Sequence, residues 1–191
     1  MKYRSLKIAV IIVVVLLSIL AASMALVLHD RTLVDRWIPI CVCLAAAIPA
    51  GFITRNAFRA LTGFVSSTAN FLIALAASFI ILYGCFYTVN YYCADHHSQT
   101  DVSVAVIAKY SEEHYRVKRV SRGRTTRGEK YIVYYMTVLL PDGRVKKMEI
   151  PAKRYRSLRA DSTITLSLEN GYFGFPVIKN ISIPVRKYTR D

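Results

Sequence analysis

The sequence predicts a membrane α plus β protein, with three transmembrane helices followed by a small, mostly antiparallel β domain. Hydrophobic residues make up 54% of the chain although its net charge is +14, and 19 of its 26 Lys and Arg lie after residue 100. Long uncharged runs occur before residue 95, whereas alternating, β-branched and aromatic segments follow it. We therefore predict a transmembrane region (residues 1–92), a juxtamembrane seam (93–101) and a basic β domain (102–191).

Three apolar runs predict the membrane spans. Residues 8–28 carry no charge and, at about 1.5 Å per residue, cover roughly the 30 Å of bilayer hydrocarbon. The second span is predicted at residues 37–54, with a kink at Pro49, and the third at about residues 64–88. A cleaved signal peptide is the alternative for the first run, because a basic start and an apolar core precede a small-residue motif there.

The distribution of Lys and Arg predicts the orientation. Cations without matching acids precede the first span and fill the second connection: Lys2, Arg4, Lys7, Arg55 and Arg59. The first connection instead balances two Arg against two Asp. We predict that the spans lie in the cell (inner) membrane. The positive-inside rule places the N-terminus in the cytoplasm, and three spans then export the C-terminal domain. Cleavage of the first segment would leave two spans and the same exported domain.

Stripes of small residues predict how the spans pack. Residues four apart share one helix face, and small side chains there let two backbones approach closely. The stripes are Cys43, Ala47 and Gly51 on the second span, and Ser66, Asn70, Ala74 and Ser78 on the third. Asn70 is expected to hydrogen-bond across the contact. A polar pathway is the alternative for Asn70, but the spans contain no Asp, Glu, Lys or Arg to support transport.

The second half predicts five or six strands and one short helix. Strand patterns cover 102–110, 130–140, 144–150, 162–169 and 172–178. Hairpins are predicted at Gly143, with positive φ, and at Asn170-Gly171. Pro151 begins the short helix, and Pro176 places the last strand at an edge or a bulged position. These signals favour an SH3-like or OB-like barrel or a bent sheet.

Six potential metal ligands are predicted at the outer ends of the first and third spans: His29, Asp30, Cys93, Asp95, His96 and His97. Imidazole, thiolate and carboxylate groups suit zinc or copper. Adjacent His side chains rarely face one ion, however, and no known ligand spacing is present. We therefore interpret this stretch as a solvated seam and predict no cofactor. A disulfide between the Cys93 residues of two copies is an alternative.

Motifs for catalysis do not emerge from the sequence. The segment 121–130 approaches the spacing of a phosphate-binding loop, but Glu129 separates Gly128 from Lys130 and a strand, not a helix, is predicted to follow. Residues 111–115, "SEEHY", lack the first His of a zinc-protease helix. No nucleophile elbow, carboxylate pair or triad can be assembled. We predict that the protein is not an enzyme.

Two clusters of cations are the remaining functional lead. One surrounds a predicted flexible hairpin tip at 121–130 and the other lies on the short helix: Arg116, Lys118, Arg119, Arg122, Arg124, Arg127, and Lys153, Arg154, Arg156, Arg159. A solubilising face is one interpretation. The other is attraction to anionic lipid or to an acidic envelope protein, worth about 1 kcal/mol per cation near a charged membrane. Nucleic acid is disfavoured because the predicted topology places these charges outside the cytoplasm.

The predicted function is a non-enzymatic, membrane-anchored binding or assembly module, which contacts membrane lipids and a protein partner or a second copy. Two alternatives stay open. One is a metal-dependent membrane enzyme or redox protein that uses the ligands at the outer ends of the first and third spans. The other is an accessory subunit of a transporter complex, whose spans pack against larger helices.

Overall fold

The computed structural model describes residues 2–121, 124–159 and 161–182. The chain divides into two compact units, Met1–Gln99 with Glu169–Ile178, and Thr100–Leu168 with Lys179–Asp191. Three long helices form most of the first unit, and a five-stranded antiparallel sheet with one short helix follows along the chain. The predicted fold class is therefore confirmed.

The three helices are α1 (Lys2–His29), α2 (Trp37–Thr62) and α3 (Ser67–Tyr92). Each is long and apolar enough to cross a membrane, so the chain is a multi-pass membrane protein. Gly63 ends α2 in the left-handed region with φ 75°, where its N–H donates to the carbonyl of Arg59 at 3.0 Å. The Ser66 hydroxyl caps α3 by accepting from the N–H of Ala69 at 3.3 Å.

Helix α3 packs against both α1 and α2. It lies close to α1 at Gly84, where an added Cβ would lie 2.5 Å from the Cβ and carbonyl oxygen of Ala21. Gly51, on α2, has more room, since a Cβ there would lie 3.3 Å from the backbone of Leu75. Small residues therefore set the distance between these helices, as is usual in membranes.

The sheet has the strand order β3-β2-β1-β4-β5 and is open. Of the two predicted forms, barrel and sheet, the chain adopts the sheet. Its strands are β1 (Asp95–Ser121), β2 (Arg124–Leu139), β3 (Val145–Ile150), β4 (Thr163–Asn170) and β5 (Pro176–Ser182), and the short helix α4 (Ala152–Ser157) joins β3 to β4. Residues 95–101 of the predicted seam are thus the first part of β1.

Several local predictions are confirmed. Gly143 has φ 82° in the turn between β2 and β3. Pro151 precedes α4, and Pro176 is the first residue of the edge strand β5. The core of the second unit is built from apolar side chains that alternate along the strands and from one residue after α4: Val104, Val106, Met136, Val138, Met148, Ile150, Leu158, Ile164 and Leu166 are all buried.

Two turn predictions were only partly right. The hairpin predicted at Asn170-Gly171 does join two neighbouring strands, β4 and β5, but through a five-residue connection, 171–175, with its positive φ of 80° at Gly174. The predicted flexible tip at 121–130 is also mostly strand, because β1 continues to Ser121 and β2 begins at Arg124. Backbone hydrogen bonds between β1 and β2 hold these polar residues in strands, although they contain no apolar side chains that could form a core.

Candidate functional site

The paired ends of β1 and β2 form a two-stranded ribbon, residues 111–121 with 124–134, called here the basic ribbon. Strand β3 pairs with β2 only from Tyr134 onward. On the other side, the backbone of Val106 bonds Ser162 and Asp161, the residues just before β4. The two strands therefore extend past their neighbours and pair with each other as far as Ser121 and Arg124. Residues 115–121 and 124–127 of this arm are all exposed.

All charged residues in the outer half of the basic ribbon are cations. Between Arg116 and Arg127 the sequence has six Lys and Arg and no Asp or Glu. Five of these cations lie on the two strands and are exposed: Arg116, Lys118, Arg119, Arg124 and Arg127. The sixth, Arg122, lies outside the described residues. Within the described chain, the predicted tip cluster is therefore spread along a defined β structure.

Acidic partners occur only at the base of the described ribbon. The Nζ of Lys130 lies 2.6 Å from Glu113, and this hydrogen bond raises the pKa of the lysine. Glu112 is 3.0 Å from the Nζ of Lys147 on β3 and 3.5 Å from His114. In the outer half, the guanidinium of Arg127 contacts an aromatic ring, since it lies 4.9 Å from the ring centre of Tyr115. Positive charge is consequently concentrated away from the base.

The cations of the basic ribbon point to both of its faces. Lys118 and Arg119 are adjacent on β1 and pair with Thr126 and Thr125, so their side chains project from opposite faces. Apolar groups are exposed beside them, since Val117 is 76% and Val120 62% accessible. The arm thus presents charge and hydrocarbon together on two faces.

The second cation cluster lies near the base of the ribbon. The ring of Tyr155 on α4 packs against Tyr134 at a tilt of 38°, with 4.6 Å between centroids, at the point where the ribbon leaves the sheet. Lys153, Arg156 and Arg159 are exposed, and Arg154 is partly buried. The helix has six residues, so these cations surround a single short turn and do not form an extended stripe.

The structure does not bring the predicted metal ligands to one point. Across residues 2–121, 124–159 and 161–182, no three His, Cys, Asp or Glu side chains lie close enough to share an ion. His29 is 2.9 Å from the Tyr87 hydroxyl, and His96 is 3.0 Å from the Glu169 carboxylate. The Asp95 carboxylate accepts the backbone N–H of His97 at 3.0 Å. Asp30 and Cys93 are exposed.

The predicted packing residues lie mainly where α2 and α3 meet. Cys43, Ala47 and Gly51 are buried on α2, as are Asn70 and Ala74 on α3. Ser78 is partly buried, and Ser66 serves as the N-cap.

The amide of Asn70 joins the end of α2 to the start of α3. Its oxygen accepts from the Thr62 hydroxyl at 2.9 Å, and its nitrogen donates to the carbonyls of Phe64 at 2.8 Å and Ser66 at 2.9 Å. Both the oxygen and the nitrogen of the Asn70 side chain therefore make hydrogen bonds within the protein.

A second buried amide, Asn90 near the end of α3, was not among the residues predicted from the sequence. It holds the segment Glu169–Ile178, called here the return segment. The Asn90 nitrogen donates to the carbonyl of Phe175 at 3.1 Å, and its oxygen accepts the N–H of Phe173 at 3.0 Å. Gly171 passes so close that a Cβ there would overlap the Asn90 side chain. This contact explains why the turn departs from the predicted hairpin.

Further contacts fix the return segment to the helical unit. The ring of Phe173 stacks on Phe86 of α3, with centroids 5.0 Å apart and planes 2° from parallel. Val177 forms an antiparallel bridge with Thr32 in the connection between α1 and α2. The one available signal in the sequence was Asn90 itself, a polar residue in an apolar helix, because such residues seldom lack a partner.

Comparison with known proteins gives no relative: no protein-family model, curated protein or solved structure matches the chain.

Proposed function

We propose that this chain is a non-enzymatic, membrane-anchored binding module whose exported β domain binds an acidic envelope protein through the basic ribbon. The supporting observation is the ribbon itself, whose described strands carry five exposed Lys and Arg and no acid between Arg116 and Arg127. Exposed charge of one sign steers oppositely charged partners and stabilises the complex that they form.

The placement of the charges favours a protein over a lipid surface. A bilayer is flat at this scale and meets one face of a ribbon, whereas Lys118 and Arg119 project from opposite faces. A groove or a pair of acidic loops can contact both faces, and the exposed Val117 and Val120 would add apolar contact there. Anionic lipid is the competing source of negative charge for the ribbon to bind.

Export of the domain is supported by the charges around the helices. Lys7, Arg55 and Arg59 lie where α1 begins and α2 ends. Asp30 and Asp35 offset Arg31 and Arg36 at the opposite end. The positive-inside rule then places the start of α1 in the cytoplasm and the end of α3, with the chain that follows it, outside.

A binding experiment with two matched triple variants tests the proposal. In the full chain, Lys118, Arg119 and Arg124 are changed to Gln in one variant, and Lys153, Arg156 and Arg159 in the other. At about 1 kcal/mol per exposed ion pair, the upper end of the usual range, the ribbon variant should lose about a hundredfold in affinity for its envelope partner. Crosslinking from Val120 in intact cells identifies that partner, and its affinity is then measured in detergent at two salt concentrations.

The outcomes separate the alternatives. A much larger loss for the ribbon variant than for the α4 variant supports the proposal, and so does weakening by salt. Equal losses would show that net charge alone matters and would overturn the role of the ribbon. Binding to anionic vesicles, with no protein crosslinked at Val120, would replace the protein partner by lipid.

A further inference from the structure

A cleft opens among the three helices, toward the end where α1 begins and α2 ends. Its volume is about 460 Å³, within the range of about 300–1,000 Å³ that is usual for small-molecule sites. Twelve residues line it: Ile11, Val14, Val15, Ser18, Ile19 and Ala22 of α1, Phe58, Leu61 and Thr62 of α2, and Ile73, Ala77 and Ile80 of α3.

The lining offers hydrocarbon to an occupant and almost no polar group. Its two hydroxyls are already engaged: Ser18 donates to the carbonyl of Val14 at 2.8 Å, and the Thr62 hydroxyl lies 2.9 Å from both the carbonyl of Phe58 and the side-chain oxygen of Asn70. A ligand that needs hydrogen bonds would lose its hydration there without replacement. The cleft therefore suits a purely apolar chain.

Cations extend the lining at one end of the cleft. Lys7 is four residues before Ile11 on α1, and so it lies on the same helix face one turn earlier. On α2, Arg55 and Arg59 share one stripe with the lining residues Phe58 and Thr62, at spacings of three and four. All three cations are exposed.

No acid balances these cations on the helices. The first 94 residues of the sequence contain Asp30 and Asp35 as their only acidic residues, and both belong to the connection between α1 and α2, at the far end of these helices. The cleft thus has an apolar body and a positive mouth. An anionic phospholipid is complementary to both parts, since its acyl chain suits the apolar body and its negative phosphate suits the positive mouth.

We propose that the cleft binds one anionic phospholipid, with an acyl chain along α1 and the phosphate at Lys7 and Arg59. The helix of a second copy fits less well. A helix about 10 Å across fills roughly 420 Å³ in each 5.4 Å turn, and the eleven-residue rise from Ile11 to Ala22 is about three turns. The cleft holds little more than one such turn. The inference does not depend on the ribbon or its partner.

Native mass spectrometry of the full chain in mild detergent tests this site with two defined lipids. Phosphatidylglycerol and phosphatidylcholine with identical acyl chains are added separately. We expect one phosphatidylglycerol to be retained per chain, at least fivefold more often than phosphatidylcholine. Arg59→Gln should abolish most of this preference, and Ala22→Leu should reduce the retention of both lipids severalfold because it fills the cleft.

Two controls keep the experiment specific. Arg36→Gln removes a cation at the opposite end of α2, and Ala45→Leu enlarges an exposed α2 residue outside the cleft; both should bind like the unchanged chain. Equal retention of the two lipids, or equal effects of Arg59→Gln and Arg36→Gln, would overturn the proposal. A dimer that Ala22→Leu dissociates, without any lipid retained, would assign the cleft to a second copy.

Discussion

The helical unit and the sheet unit differ in the side chains that they expose. On the helices, Ile53 is 80% and Leu26 75% accessible, while the amides of Asn70 and Asn90 are buried. In the sheet, Met136, Val138 and Leu166 are fully buried, and exposed cations line the ribbon. The accessible apolar surface of the helices is the surface that lipid covers.

This contrast shows that each unit is held together by a different force. Apolar side chains gain nothing by leaving lipid for a helix contact, so the helices depend on close backbone approach and on satisfied amides. The sheet lies in water and depends on removing apolar area from it. The same substitution should therefore have different consequences in the two units.

The largest expected effect is a cavity in the sheet. Leu166→Ala should lower the free energy of unfolding of the β domain by about 3 kcal/mol, because it deletes a fully buried side chain. The matched change Ile53→Ala on α2 should cost less than about 0.5 kcal/mol, since that side chain faces lipid. Denaturant unfolding followed by tyrosine fluorescence measures the first and thermal unfolding in detergent the second. Similar losses at both sites would contradict the contrast.

The next largest effect is expected from enlarging the contact between α1 and α3. Gly84→Ala places a methyl group 2.5 Å from Ala21 and should destabilise the helical unit by about 2–3 kcal/mol, as overpacking does. Gly51→Ala, with 3.3 Å to the backbone of Leu75, serves as the graded control and should cost about 1 kcal/mol or less. Thermal unfolding in detergent ranks the two. The reverse ranking would show that these contacts are not what spaces the helices.

A smaller effect is predicted for the amide that holds the return segment. Asn90→Ala removes two hydrogen bonds to the segment and leaves the N–H of Phe173 without its acceptor, which should cost about 2 kcal/mol. Hydrogen exchange at residues 171–178 should accelerate, while exchange in β2 stays unchanged. Asn180→Ala, at an exposed position, is the control. Unaltered exchange in Asn90→Ala would place the anchor elsewhere.

The smallest effect concerns the turn between β2 and β3. The Arg144 side chain donates to Asp142 at 2.7 Å, and this bond lowers the pKa of the carboxyl from its ordinary value of 3.8. Because the folded pKa is the lower one, the stabilisation is present above pH 3.8 and disappears as the pH falls through the folded value. Arg144→Gln should return the pKa toward 3.8 in an NMR titration. An unchanged pKa would mean that the pair does not form in solution.

Sequence alone predicted most of the architecture, because its signals are local. The uncharged runs, the positive φ at Gly143 and the edge proline Pro176 each follow from the chemistry of a few neighbouring residues. The turn at Asn170-Gly171 was predicted only in part because its conformation depends on Asn90, about eighty residues earlier in the chain. Tertiary contacts of this length leave no local pattern.

The candidate sites show the same division. The cations of the ribbon were found from their density along the chain, but their distribution over two faces requires the pairing of Lys118 and Arg119 with β2. The metal set was chosen by composition, and the structure instead pairs His29 with Tyr87 and His96 with Glu169. The cleft combines residues from three helices, so spacing within any one of them does not reveal it.

Export of the β domain is the claim on which the proposed partner depends, and thiol labelling tests it most directly. Cys41, Cys43 and Cys85 lie within the helices, so a Cys93→Ser background that carries Ser121→Cys offers one aqueous thiol, at the end of the ribbon. An impermeant maleimide should label this variant in intact cells. Labelling only after the cells are broken open would place the ribbon in the cytoplasm and contradict the account.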